Sequence, residues 1–198
     1  MRVNKKYIII GVVVVGLLIA TTMSGATTTT QSEYDMFKFY VDYIIDRWEG
    51  TAYENVKGDR GKGTKFGITE KDYPNIDIKN LSRKRAIDIY WTDYWKRGRL
   101  DLIPVEIQFM QFAGTVNFGV TGQIKVLQEA AGVSKDGVIG TDTLTAAQSV
   151  SPQELLSAQI ARYDRILAND SSQQKFYAGW INRVRDIYNQ QIEINKYS

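Results

Sequence analysis

Apolar positions recur at helical spacing over most of the chain. Phe37, Val41 and Ile45 stand four apart, with Tyr40, Ile44 and Trp48 beside them. They predict an amphipathic helix over 33–49 that Gly50 ends. Gly50, Gly58, Gly61, Gly63 and Gly67 then break the period, and their density predicts turns or a small hairpin. Ser82 caps a second helix running to about Arg97, with Gly98 after it. Pro104, at a first helical position, opens a third through Ile107, Met110 and Gly114. Short helices follow over 121–132 and from a Thr141 cap, separated by an Asp136-Gly137 turn. Ser151-Pro152-Gln153-Glu154 combines a capping box with proline at the first helical position and starts a helix to about Asn169. A last helix starts at Ser171 or Ser172 and reaches about Asn195. The chain reads as mainly α with one Gly-rich excursion.

The first residues follow another pattern. Arg2, Lys5 and Lys6 precede a wholly apolar run over 8–20, and no charge occurs between Tyr7 and Ser32. A basic start before a short apolar run is the signature of a secretory signal or an N-terminal signal-anchor. The run is short for a stable span of about 20 apolar residues. Adding 21–26 reaches that length with weakly apolar Thr, Ser and Gly, and Ser24-Gly25-Ala26 suits cleavage. The basic flank predicts export, with everything after Ala26 outside the inner membrane, periplasmic or tethered to it. The tract TTTTQ, 27–31, reads as a short tether.

Composition narrows the chemistry. The chain has no Cys and no His, which excludes disulfides, thiolate nucleophiles and imidazole acid–base catalysis. Catalysis must rest on carboxylates, hydroxyls, Lys, Tyr or backbone dipoles. No metal or cofactor is implied, since no ligand cluster stands out. Lys+Arg is 25 against Asp+Glu 22, and Arg2, Lys5 and Lys6 account for the whole excess. The body is electrically balanced, which gives no argument for nucleic-acid binding.

Glu49 is the sharpest candidate for chemistry. It continues the Phe37–Val41–Ile45 row at a helix end, just before the Gly-rich stretch. A carboxyl buried against rings there would hold its proton, as general-acid attack on a glycosidic bond requires. The competing reading is an ordinary carboxylate that turns to water. Asp59 and Thr64, in GDRGKGTKFGIT, would face Glu49 across a groove if the stretch folds back, activating or orienting water. Otherwise they only fix turns. Glu54 and Glu70 have no assignable direction. Tyr90, Trp91, Tyr94 and Trp95 pair at i, i+4. Tyr94 could stack on a sugar face, while core packing is the commoner role for the others and for Trp180. Asn117 could donate an amide hydrogen bond to an N-acetyl group, or simply end a helix.

In order, these residues resemble a known family. WEGTAYENVKGDRGKGTKFGIT, 48–69, resembles the active-site region of glycoside hydrolase family 108 muramidases. IYWTDYW, VNFG, LQEAAGVSKDGVIGTDTLTAA and GWINRV are similar to that family's later motifs, including a peptidoglycan-binding-like segment. The chain differs from the pattern at Thr51, Gly61-Lys62 and Ala113. The resemblance implies a lysozyme-like α-helical fold with a small Gly-rich β-hairpin. It implies a muramidase cleaving the β-1,4 bond between N-acetylmuramic acid and N-acetylglucosamine, with Glu49 as the general acid. The expected organisation is a signal or anchor over 1–26, a tether over 27–32, a catalytic part over 33–115 and a peptidoglycan-binding-like part over 116–198. The expected partners are glycan strands and, through the N-terminal segment, the inner membrane. The expected state is a monomer serving as a phage endolysin or a wall-remodelling enzyme. The alternative is a non-catalytic, membrane-tethered peptidoglycan-binding or secretion scaffold protein.

Overall fold

A computed structural model of the chain describes residues 25–55 and 63–197. The apolar start over 1–24, on which the signal or anchor expectation rests, lies outside the described residues, as does Asp59. Among the described residues, no helix is long and apolar enough to cross a membrane.

Helix α1 (Gly25–Ile44) runs into a π-helical turn, Ile45–Glu49. A hairpin of β1 (Thr64–Lys65) and β2 (Ile68–Thr69) follows. Helix α2 (Arg83–Ile89) continues into a second π-helical stretch, Tyr90–Lys96. Then come α3 (Val105–Phe118), α4 (Val120–Ala130), α5 (Thr141–Ala147), α6 (Pro152–Asn169) and α7 (Gln174–Asn195). The architecture is mainly helical, with the small hairpin that the glycines predict.

Helix α1 packs by its aromatic row. Phe37, Tyr40, Val41 and Ile44 are buried, and Phe37 meets Trp95 and Phe112 edge-on at ring separations of 5.5 and 5.7 Å. Arg83, at the start of α2, pairs with Asp42 of α1 and with Asp46 of the π-helical turn after it, each at 2.6 Å. Helix α3 is buried at every position of Ile107–Thr115, as a mostly apolar central helix is. Glutamines from its neighbours pin it. Gln191 of α7 accepts from the Phe109 and Met110 amides (2.9 and 3.3 Å), and Gln159 of α6 donates to the Met110 carbonyl (3.2 Å). Gly114 leaves room for Gln123, whose amide would stand 2.2 Å from an added Cβ.

Three boundaries differ from expectation. Helix α1 begins at Gly25 rather than near Glu33 and takes in the 27–31 tract; the long helix behind it propagates into residues of weak propensity. Pro104 is the N-cap of α3, with ψ 133, and Val105 is the first helical residue. Gly140, not Thr141, caps α5. Ser151 and Glu154 do form a reciprocal capping box, with Pro152 first in the helix.

Candidate active site

The end of α1 sets where Glu49 can point. Phe37, Val41 and Ile45 are fully buried, as their spacing requires. A regular helix would put Glu49 directly beneath them. The last turn widens instead, and the Gly50 amide donates to the Ile45 carbonyl, five residues back, at 3.0 Å. This steps Glu49 off the buried row, and its side chain keeps 16% exposure. Gly50 then turns the chain away at φ 72.

The hairpin covers one side of the carboxylate. Phe66 (φ 54) and Gly67 (φ 77) form a two-residue turn with both residues left-handed, the geometry that matches strand twist. Tyr90 Oη, fully buried, donates to the Phe66 carbonyl at 2.9 Å and fixes the tip. A Cβ on Gly67 would stand 2.4 Å from Tyr90 Oη and 2.8 Å from Glu49 Cγ and Oε2. The turn therefore needs glycine twice, once for its backbone and once for the carboxylate against it.

Helix α7 covers the other side. Arg183 Nη2 donates to Glu49 Oε1 in a largely buried ion pair. This corrects the expected uncharged, ring-lined niche: rings are present, but a cation meets the carboxylate. The two residues are 134 apart in sequence, so no local pattern pairs them. GWINRV holds Arg183, and its match to a family motif was the available signal. Three residues on, Asp186 accepts from Tyr43 Oη (2.9 Å), Arg47 Nη2 (3.2 Å) and Trp48 Nε1 (3.1 Å).

Phenols surround this pair. Burial is the main cause raising the pKa of Tyr90, Tyr94 and Tyr163, and the Glu49 charge adds to it in each. Tyr163 is pushed up to about 12. All three are neutral at physiological pH.

The other expected site residues are placed as follows. Thr64 stands on β1 of the hairpin that touches Glu49, and its hydroxyl donates to the Ile68 carbonyl at 3.3 Å. Tyr94 is half-buried, its ring 5.1 Å from that of Tyr90. Asn117 is half-buried in the last turn of α3. Glu70 accepts from Tyr53 Oη (2.8 Å) and the Gly63 amide (3.3 Å), holding the hairpin base. Glu54 is exposed and bridges to Thr64 through its backbone. Tyr90 and Trp95 are core. Trp180 stacks on Tyr163 at 4.9 Å and on Phe176 at 6.1 Å, so it packs rather than presenting a free ring face.

Residues 42–119 match the family described as glycosyl hydrolase 108, and residues 122–185 match a predicted peptidoglycan domain. The two segments meet where α3 gives way to α4 at Gly119, φ 70. Twelve chains among solved structures match. One is the structure of Brucella abortus SagA, 26% identical, with a TM-score of 0.70 over 80% of this chain and 95% of that one. No curated protein matches.

Proposed function

Because this chain belongs to the glycosyl hydrolase 108 family through residues 42–119, and is a glycoside hydrolase acting on peptidoglycan, we propose that it is a muramidase with Glu49 as general acid. The observation that carries this reading is the placement of Glu49: half-buried at an irregular helix end, held between the Gly67 tip and Arg183, where the two matched segments meet. Oε1 takes the guanidinium, and Oε2 lies on the hairpin side. In the proposed reaction Glu49 takes up a proton on Oε2 from solvent and gives it to the leaving oxygen as the β-1,4 bond between N-acetylmuramic acid and N-acetylglucosamine breaks. Water adds to the anomeric carbon, activated or oriented by Asp59 and Thr64; one of its protons passes to the activating carboxylate and the other stays on the new hydroxyl. Tyr94 and Asn117 are the proposed sugar-binding groups.

Glu49→Gln keeps the shape and removes the acid. The cleared band in a zymogram of purified sacculi should weaken at least about 100-fold, the low end for losing general acid–base catalysis. Clearing at the wild-type rate would end the assignment. The setting is part of the proposal: the basic and apolar segment over 1–26 exports or anchors the enzyme, as in a phage endolysin or a wall-remodelling enzyme. Protease added to spheroplasts should digest the hydrolase, and full protection would contradict export.

A further inference from the structure

The last helix does more than close the fold. Arg183 and Asp186 are three apart on α7, hence on one face. Together they hold three consecutive residues of the π-turn. Asp186 takes Arg47 and Trp48, with Tyr43 one turn earlier, and Arg183 takes Glu49. The Arg183 guanidinium also lies 6.0 Å from the centroid of the Trp48 ring, within cation–π range. Arg183 and Asp186 side chains are only 17% and 20% exposed.

Two features mark this arrangement as more than surface ion pairing. A π-turn is rare and often sits at a functional site, and its backbone does not by itself fix its last side chain. Glu49, with its long flexible side chain, needs an external restraint to present one oxygen in one direction. Arg183 supplies that restraint at a cost, because its Nε is buried without a partner. A buried donor left unpaired is unfavourable, so this placement of Arg183 is not the one that best satisfies its own hydrogen bonds.

Resting on the reading of Glu49 as the acid, we propose that Arg183 is a positioning residue for it, with Asp186 as its support. The segment that matches a peptidoglycan domain then does not only hold the wall: through α7 it completes the active site of the hydrolase segment. Binding and turnover should separate when this contact is cut.

The test is steady-state kinetics on solubilised glycan strands, with co-sedimentation on sacculi and a melting curve for each full-length variant. Arg183→Ala should lower kcat about 100-fold, the scale of a misplaced catalytic group, with KM and co-sedimentation nearly unchanged. Arg183→Lys, which restores a cation without the planar fork, should recover about tenfold of that loss. Arg165→Ala removes a salt bridge elsewhere, between α6 and Glu129 of α4, and should leave kcat unchanged. A folded Arg183→Ala with wild-type kcat overturns the proposal, as does a rise in KM with kcat unchanged. If both Arg183 variants fail to fold, the isosteric Asp186→Asn decides: lowered kcat at unchanged KM supports the proposal, and wild-type kcat overturns it. Activity surviving in Glu49→Gln would sink the muramidase reading itself. An inactive Glu49→Gln beside a fully active Arg183→Ala would sink only this inference.

Discussion

The two matched segments are built by different rules. In residues 122–185 the local structure is closed by side-chain capping at the start of α6 and at the Asp136 turn. Ser151 and Glu154 satisfy each other's backbone, and the Asp136 carboxylate closes its turn by accepting from the Val138 amide (2.8 Å) and Gln128 (2.6 Å). In residues 42–119 the two helices that lead to the site both end in π-turns, and the hairpin tip holds Phe66 at a positive φ. Irregular backbone gathers around Glu49, and regular backbone supplies the frame that holds it. The contrast teaches where each kind of stability is used: α7 is a regular α-helix with a buried apolar row, and it grips the part of the chain least able to fix itself.

Gly67→Ala should cut this contrast most sharply. It places a Cβ against Tyr90 and Glu49 and forces a left-handed residue, at about 1–2 kcal/mol for the backbone alone. Activity per folded molecule should fall at least about tenfold, more than a general loss of stability explains. A folded variant of wild-type activity would show that the hairpin tip does not set Glu49. Ser151→Ala touches the regular side. It should cost about 1 kcal/mol in chemical denaturation and leave kcat unchanged.

The smallest effect lies in acid. Burial alone would raise the Glu129 pKa, but hydrogen bonds from Arg165 and Lys135 outweigh it and hold it below the usual carboxylate range. A lowered folded pKa stabilises the protein above the ordinary value and is lost as pH falls through the folded one. Between about pH 6 and pH 3, wild type should therefore lose more stability than Arg165→Ala, by less than about 1 kcal/mol for a pair this exposed. Parallel melting curves would contradict this.

Much of the frame was legible because its signals are local. Ser82 and Ser151 sit where their side chains accept helix amides, and Phe37, Val41 and Ile45 recur at the period that buries them. The glycines of the excursion foretold its hairpin. Glu49 stood out because it ended a buried row. What the pattern could not carry was the widened turn, since a π-turn and an α-turn have the same local composition. Arg183 escaped for another reason: its partner lies 134 residues away, and a lone arginine on an amphipathic helix reads as a solvated face. Reading Glu49 as simply buried was therefore incomplete. Thr64 donates to the Ile68 carbonyl inside the hairpin, a backbone contact that its place beside the glycines did not spell out and that leaves its oxygen free to accept from water.

Mass spectrometry of muropeptides released from purified sacculi tests the central claim most directly, because it reads both the bond cut and the need for the acid. Wild type should release fragments with reducing N-acetylmuramic acid ends, and Glu49→Gln should yield about 100-fold less or none. Reducing N-acetylglucosamine ends, or an undiminished yield from Glu49→Gln, would contradict it.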